Sequence, residues 1–544
     1  MKPEISAYPL YSYVSTRAGC DPCRTIYLCA PEPDCRTVQS LEIFARESGW
    51  QEIAEQEGAV LVAPAAPQGW DAQPTTVLRE IYQQTRNRFA TRSGEAIWGR
   101  MGSLWCWETM LYAVGYGEGA QFVGRTLVDC PNVLAAGAMV GGWPSDFRGG
   151  DLPSSHWLVG KVSPDYCVKN REIPVKAWFY VDHAVQAEQA AAYFRSCGGS
   201  VQVREGSFRA EPCLSWEIMN QCFARTIRWK NGPDGTLTET SSRADFYNSP
   251  RFLRRSAKWM GTTYGYSVHL PEGLSPAQIQ GLPVVFTVHG RGEPAWLFTE
   301  KNGWDLLADE TKEFVLVSPD SPGNIWFAPR DAQIFPVIAN AVQKEFGTDP
   351  EQVYLTGFSN GGMITREVGL RYPEVFAGIS VWNAPKGDTF SMMQEDSGAL
   401  AGEPGEALQG WINAFKDGHW ELPCAFFYGD QDGAAQPGEN YLMPLFLESN
   451  HCSATRDGNN LVGWKPDEVW NGENHYTPEG GYREGERFTT YGYRSTRGDL
   501  AVTVTMMKNM PHGAIREQSR AVWQFLRHYR REKGSPDVIW SEKE

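Results

Sequence analysis

Three residues far apart in the chain have the side chains that nucleophilic chemistry needs: Ser359 in GFSNGG, Asp432 in YGDQD and His512 in NMPHGAI. A serine hydroxyl attacks a carbonyl when a base takes its proton, and a histidine serves as that base when a carboxylate fixes its tautomer and stabilises its cation. Gly357 and Gly361 flank Ser359, and a tight strand-to-helix turn that exposes a nucleophile needs small residues two positions to either side. With 55 glycines in 544 residues, a GxSxG match arises by accident roughly once in three such chains, so the neighbourhood must decide.

Upstream, HGRGEP begins at His289 after the apolar run PVVFTV. Its glycines let backbone N–H groups turn toward a developing oxyanion, and the amide of Arg291 can pair with that of Asn360, which follows the serine. His289 precedes the serine and sits in the loop that supplies donors, so it reads as a structural hydrogen-bonder. Asp430 and Asp432 are both available to orient a histidine. Asp432 is favoured because the acid usually lies a few residues beyond its strand. Among the nine histidines, His512 alone follows the acid in a strand-to-helix loop. His528 reads as a surface residue within the final helical run, and His475 lies in a polar insertion.

These residues need a scaffold that brings strand ends together. PVVFTVHG, FVLVSPD, VYLTGF, ISVWNA, CAFFYGD and AVTVTMM are short β-branched or aromatic runs ended by Gly, Pro, Asp or Asn. Helix-compatible stretches such as AQIFPVIANAVQKEF separate several of them, an order that predicts a mostly parallel sheet flanked by helices with functional groups at the strands' carboxyl ends.

The order Ser, Asp, His with an upstream HG loop resembles the α/β-hydrolase superfamily. LPVVFTVHG, FVLVSPD, Trp326 followed by Asp331, DPEQVYLTGFSNGGM, YGDQD and PHG together resemble its polyhydroxybutyrate depolymerase and feruloyl or acetyl-xylan esterase branch, over about 270 residues. The resemblance implies serine-dependent acyl transfer: His512 as base for Ser359, Asp432 holding His512, the Arg291 and Asn360 amides as oxyanion hole, and no metal or organic cofactor. The arginine after HG departs from the family, which often has a small residue or cysteine there.

The chain also repeats itself. SGWQEIAEQEGAVLVAP at 48–64 resembles NGWDLLADETKEFVLVSP at 302–319. LYAVGYGEGAQFVGRTLVDCPNVLAAG from Leu111 lies ungapped over the Ser359 segment from Val353, and EIPVKAWFYVDH lies over ELPCAFFYGDQD. The expected architecture is two tandem α/β-hydrolase domains, each a mostly parallel sheet flanked by helices: 1–230 degenerate and catalytically inactive, 231–261 a linker, and 262–544 catalytic with an aromatic-rich insertion at about 434–499. In the first copy Gly117 stands opposite Ser359, Ala184 opposite Asp432 and Cys213 opposite His512, and APEP replaces the HG loop. Its expected role is to pack against the active domain.

A net charge of -15 argues against a nucleic-acid partner. No apolar run approaches the ~18 residues of a membrane span and no export signal is apparent, so the reading is a soluble cytoplasmic protein, with a homo-oligomer left open. Of twelve cysteines, ten precede residue 223. Cys20, Cys23, Cys29 and Cys35 could suggest zinc, but Cys29 lies in an apolar strand-like run with no histidine near, which favours buried free thiols.

About 80 residues separate the acid from His512, long for a strand connection. They carry Trp464, Trp470, Tyr476, Tyr482, Phe488, Tyr491 and Tyr493, which would suit an aromatic acyl group or sugar ring, or would pack the insertion. Trp326 is a further candidate pocket wall. The expected partner is a small-molecule ester, whether feruloyl-like, an acetylated sugar or a hydroxyalkanoate. The alternatives are a serine peptidase of prolyl-oligopeptidase type, against which the absence of a propeller-like first copy argues, and a noncatalytic binding protein.

Overall fold

The computed structural model describes residues 6–542 except 20–21, 87, 91–95, 98–99, 102–103, 105, 155–167, 230–235, 242, 390–405, 473–487 and 509. Two compact units divide between residues 242 and 243.

In unit 1, strands β1 (Leu10–Val14), β2 (Cys23–Cys29), β3 (Val60–Pro64), β4 (Cys106–Tyr116), β5 (Ala136–Val140), β6 (Lys176–Val181) and β7 (Ser200–Glu205) form a seven-stranded sheet ordered β1-β3-β2-β4-β5-β6-β7. Only β1 runs antiparallel to its neighbour. Helix α1 (Glu118–Asp129) leaves the turn after β4.

Unit 2 contains β8 (Phe252–Trp259), β9 (Thr262–His269), β10 (Val284–Val288), β11 (Val315–Pro319), β12 (Val353–Phe358), helix α2 (Asn360–Arg371), β13 (Gly378–Trp382), β14 (Cys424–Gly429), β15 (Glu468–Gly472), β16 (Phe488–Arg494), β17 (Leu500–Met507) and helix α3 (Arg516–Leu526). Its ten-stranded sheet runs β8-β9-β11-β10-β12-β13-β14-β17-β16-β15. The stretch from β9 to β17 has the same strand order as the whole of unit 1, and within it the strands from β11 across to β17 are joined in parallel. Strands β10, β12, β13 and β14 are buried along their whole length, which is why they read as unbroken apolar runs. Their residues alternate between two cores: Val284, Phe286 and Val288 join one, and Val285 joins the other.

Residues 231–261, expected as a linker, carry structure of both units. Thr236–Glu239 pairs with Thr226–Trp229 in unit 1. A short helix spans Arg243–Asn248, and β8 pairs with β9 from Phe252↔His269 to Trp259↔Thr262. The second sheet therefore begins at Phe252. Strand β8 reads as polar because only alternate residues face the protein, and edge strands tolerate charge on the other face. Arg255 on that strand pairs with Glu345.

The insertion at 434–499 is partly sheet: β16 and β15 add to β17 as antiparallel strands. The final helix stops at Leu526, so His528 lies beyond it, half-buried, before Tyr529–Arg530 pairs with Ile539–Trp540. Cys29 lies buried in β2, and Cys23 and Cys35 are buried beside it in sequence, while Cys20, His475, Tyr476 and Tyr482 lie outside the described residues. Among the described residues no helix is long and apolar enough to cross a membrane.

Candidate active site

Ser359 joins β12 to α2 with φ 56° and ψ −119°, a conformation costly for a residue with a Cβ. Both ends of the turn hold it: the Ser359 amide donates to Trp382 O at 2.8 Å, and the Met363 amide donates to Ser359 O at 2.9 Å. The flanking glycines are required by contact. A Cβ on Gly357 would strike Gly361 O, and one on Gly361 would strike the carbonyls of Val288 and His289.

The loops after β14 and β17 bring the acid and base to this turn. His512 Nε2 lies 2.8 Å from Ser359 Oγ, and its Nδ1 lies 2.8 Å from Asp432 Oδ2. His512 remains one-third exposed, whereas the Asp432 side chain is fully buried. Asp432 Oδ2 also accepts from Asn383 Nδ2 at 2.8 Å, while Oδ1 accepts from the amides of Ala434 and Ala435 at 2.8 and 3.2 Å. Burial alone would raise the Asp432 carboxyl, but His512, Asn383 and the Ala434 amide hold it below its ordinary value. Asp430 is exposed and accepts from the Met510 amide at 3.2 Å, which ties it to the histidine loop from outside.

The loop after β10 passes next to the serine: a Cβ on Gly290 would lie 3.4 Å from Ser359 Cβ. Buried His289 orders this loop. Its Nδ1 donates to Gly290 O at 2.8 Å, and its Nε2 accepts from the Ser321 amide at 3.2 Å. That pair fixes one neutral tautomer. In a trans peptide the C=O and N–H point in opposite directions, so holding Gly290 O against the histidine directs the Arg291 N–H away from it.

Two residues named from the sequence have other roles in the structure. Trp326 does not wall a pocket. It is fully buried, its Nε1 donates to His289 O at 3.0 Å, and it braces the loop from behind. Asn360 contributes a side chain as well as an amide: Oδ1 accepts from Trp326 N at 2.7 Å and Nδ2 donates to Trp326 O at 3.1 Å. Trp464 is half-buried, with Arg456 over its ring at 4.8 Å. Trp470 sits on β15, five strand spacings of ~4.8 Å from β12, roughly 24 Å across the sheet. That separation is too large for contact with an acyl group on Ser359.

Sequence reasoning missed Asn383, Glu293 with Lys301, and Glu367. Asn383 adopts φ 46° at the end of β13, and an asparagine closing a strand is the available signal for it. Glu293 and Lys301 form a buried ion pair at 2.8 Å, and the ammonium lies 4.8 Å from the Phe358 ring. Glu367 on α2 is fully buried and accepts from the Thr389 amide and hydroxyl at 2.8 and 2.6 Å. Burial pushes its carboxyl up to about 7, against the opposing pull of Thr389 and Arg366.

The parallel sheet, the strand order and the Ser359 turn after β12 decide the class. Unit 2 has the α/β-hydrolase fold. Sequence relatives of this chain include poly(3-hydroxyalkanoate) depolymerase C from Paucimonas lemoignei, 24% identical over 227 residues, covering 38% of this chain and 53% of that protein. Acetylxylan esterase A from Emericella nidulans is 26% identical over 189 residues, covering 32% of this chain and 56% of that protein. The chain thus spans about half the length of these curated relatives. An acetyl xylan esterase from Aspergillus awamori is similar in structure with a TM-score of 0.34 and 14% identity, over 50% of this chain and 98% of that one. No family model matches the sequence.

Proposed function

We propose that the chain is a serine carboxylic-ester hydrolase whose reaction takes place in unit 2. The observation that carries this reading is the hydrogen-bonded line from Asp432 through His512 to Ser359, with both contacts at 2.8 Å. His512 removes the Ser359 proton as Oγ attacks an ester carbonyl, and Asp432 stabilises the resulting imidazolium. The Arg291 and Asn360 amides receive the oxyanion, the alcohol leaves with the proton from His512, and water attacks the acyl-enzyme by the same route. Small acyl esters are the substrate class, whether acetylated sugars, hydroxyalkanoates or feruloyl-like esters, in keeping with the names of the relatives.

The same proposal makes unit 1 an inactive duplicate. Its turn after β4 has Gly117 at φ 55° and ψ −119°, the Ser359 geometry without a hydroxyl. Trp70 Nε1 donates to Ala30 O at 2.7 Å, as Trp326 donates to His289 O, so Glu32 stands where unit 2 has Arg291. The Glu32 amide donates to the Glu118 carboxylate at 3.2 Å. A built-in anion thus takes the donor that an oxyanion would need. The Cys213 pairing with His512 fails on position, because Cys213 is exposed on a helix that begins at Pro212.

A labelled fluorophosphonate tests the reading. It should modify Ser359 alone, and Ser359→Ala should abolish both labelling and hydrolysis of p-nitrophenyl acetate. An unlabelled wild-type protein that is folded and hydrolyses no ester in a panel of nitrophenyl, feruloyl and acetyl-sugar substrates would refute it, and turnover confined to aminoacyl amides would make it a peptidase.

A further inference from the structure

The face of the sheet under α3 holds a cavity of about 700 Å³, within the range of ~300–1,000 Å³ typical of ligand pockets. Its lining takes Ala425 and Phe427 from β14 and Leu500, Thr503 and Thr505 from β17, along one face of the strands whose ends lead to Asp432 and His512. None of Ser359, Asp432 or His512 lines it.

Tryptophan exposure singles this cavity out. The chain has 21 tryptophans. Among the described ones only Trp470 and Trp540 are exposed, at 38% and 41%, and both line the cavity. Leaving two large rings in water forgoes the stabilisation that burial would bring, so two exposed rings on one cavity need a reason. The structure also seats each ring. A Cβ on Gly492 of β16 would meet Trp470 Cζ3 at 2.7 Å, so the sheet is cleared of a side chain where that indole rests. The Trp540 ring lies 5.9 Å from the His528 ring at an interplanar angle of 30°, on the last strand of the unit.

The polar groups define the ligand's charge. Arg494 pairs with Glu468 at 2.8 Å and donates to Gly498 O at 2.7 Å, and Arg520 pairs with Glu310. Glu517 adds a negative charge to the lining. Both guanidinium charges are thus compensated, which disfavours a phosphate or a free carboxylate. Gln524 and the threonines 490, 503 and 505 also line the cavity, with the Thr490 and Thr505 hydroxyls bonded to each other at 2.9 Å, and a floor of uncharged polar groups suits a hydroxylated ligand better than an acyl chain. Aromatic faces stack on the apolar C–H faces of a pyranose ring, while amide, hydroxyl and paired guanidinium groups bond to its hydroxyls.

We infer that this cavity is a second binding site, for a neutral oligosaccharide, held between Trp470 and Trp540 and separate from the site of hydrolysis. Binding there requires neither Ser359 nor turnover, so it stands apart from the esterase reading and can be tested with the full-length Ser359→Ala variant. That variant would be titrated calorimetrically with the β-linked hexaoses of xylose, glucose and mannose, and separately with sodium decanoate. At least one hexaose should bind and quench tryptophan fluorescence. Trp470→Ala and Trp540→Ala, each added to Ser359→Ala, should weaken that binding about tenfold or more. Because both rings are partly exposed the variants should fold, which circular dichroism and thermal melting check. Gln524→Ala, which leaves both rings in place, should give a smaller loss if the rings carry the binding. The inference is overturned if no hexaose binds, if decanoate binds and no hexaose does, or if hexaose binding survives both tryptophan replacements in folded protein.

Discussion

Replacing Asp432 with asparagine should cost far more than the loss of one charge, because the surroundings dictate which way the new amide faces. Two backbone amides, Ala434 at 2.8 Å and Ala435 at 3.2 Å, donate to Oδ1. They select the carbonyl oxygen of the substituted side chain for that position and send its NH₂ to the Oδ2 position. There the NH₂ meets the Asn383 amide donor and His512 Nδ1, each 2.8 Å from the present oxygen. His512 relieves the conflict by accepting through Nδ1, which moves its proton to Nε2. At 2.8 Å from Ser359 Oγ, Nε2 then becomes a donor and can no longer take the serine proton. A tautomer error of this kind lowers kcat by about 10⁴-fold in the chymotrypsin triad, or about 5 kcal/mol in the barrier. The assay is kcat/KM on p-nitrophenyl acetate, with thermal melting to establish folding. Asp430→Asn serves as the control, since this exposed carboxylate touches only the outside of the histidine loop, and its loss should stay within about threefold. A folded Asp432→Asn enzyme with more than a tenth of wild-type activity, or a larger loss from Asp430→Asn, would refute the assignment.

Two further outcomes follow from buried groups behind the serine. Glu367 has its carboxyl raised from 4.5 to about 7, so the folded state holds a proton that the unfolded state releases first. Its contribution to stability is complete below about pH 4.5 and is lost as pH rises to about 7, a change on the order of 3 kcal/mol. Glu367→Gln should flatten that part of the stability profile in urea melts, and an unchanged slope would exclude Glu367 as its source. Gly361→Ala should prevent the turn from forming, with loss of activity and a large fall in Tm, because its methyl would collide with two backbone carbonyls. Gly410→Ala, on an exposed helical position with open space around it, should leave activity intact and stabilise by about 0.5–1 kcal/mol.

The legible parts of this chain were those that physical chemistry writes locally. Fully buried parallel strands must be largely apolar, so β10, β12, β13 and β14 stood out, and glycines around a serine announce a turn only small residues permit. What stayed hidden depended on partners distant in sequence. Asn383 matters because Asp432, 49 positions away, lies against it. Lys301 and Glu293 look like surface charges until the fold buries them together. Trp326 resembled a pocket residue because an aromatic in a loop after a strand can be either wall or brace. Its bond to His289 O makes it a brace. Strand β8 was missed because an edge strand needs only one apolar face, and the polar run Arg254, Arg255, Ser256 and Lys258 within it mimics a linker.

The two turns together imply that unit 2 keeps a strained residue for its chemistry. Gly117 and Ser359 adopt nearly the same torsions, φ 55° and 56° with ψ −119° in both. Glycine occupies that region freely, whereas a residue with a Cβ carries a cost of about 1–3 kcal/mol. In unit 1, where the proposed reaction is absent, the strain is absent too. Ser359→Ala and Ser359→Gly both remove the nucleophile, but only the second removes the Cβ. Glycine also gains freedom in the unfolded chain, which offsets roughly 0.4–1 kcal/mol of the relief. Ser359→Gly should therefore be the more stable of the two by about 1 kcal/mol in urea melts, and both should be inactive. If the alanine variant proves equally stable or more so, the turn is not strained, and the requirement for a small residue at this position rests on access to the serine alone.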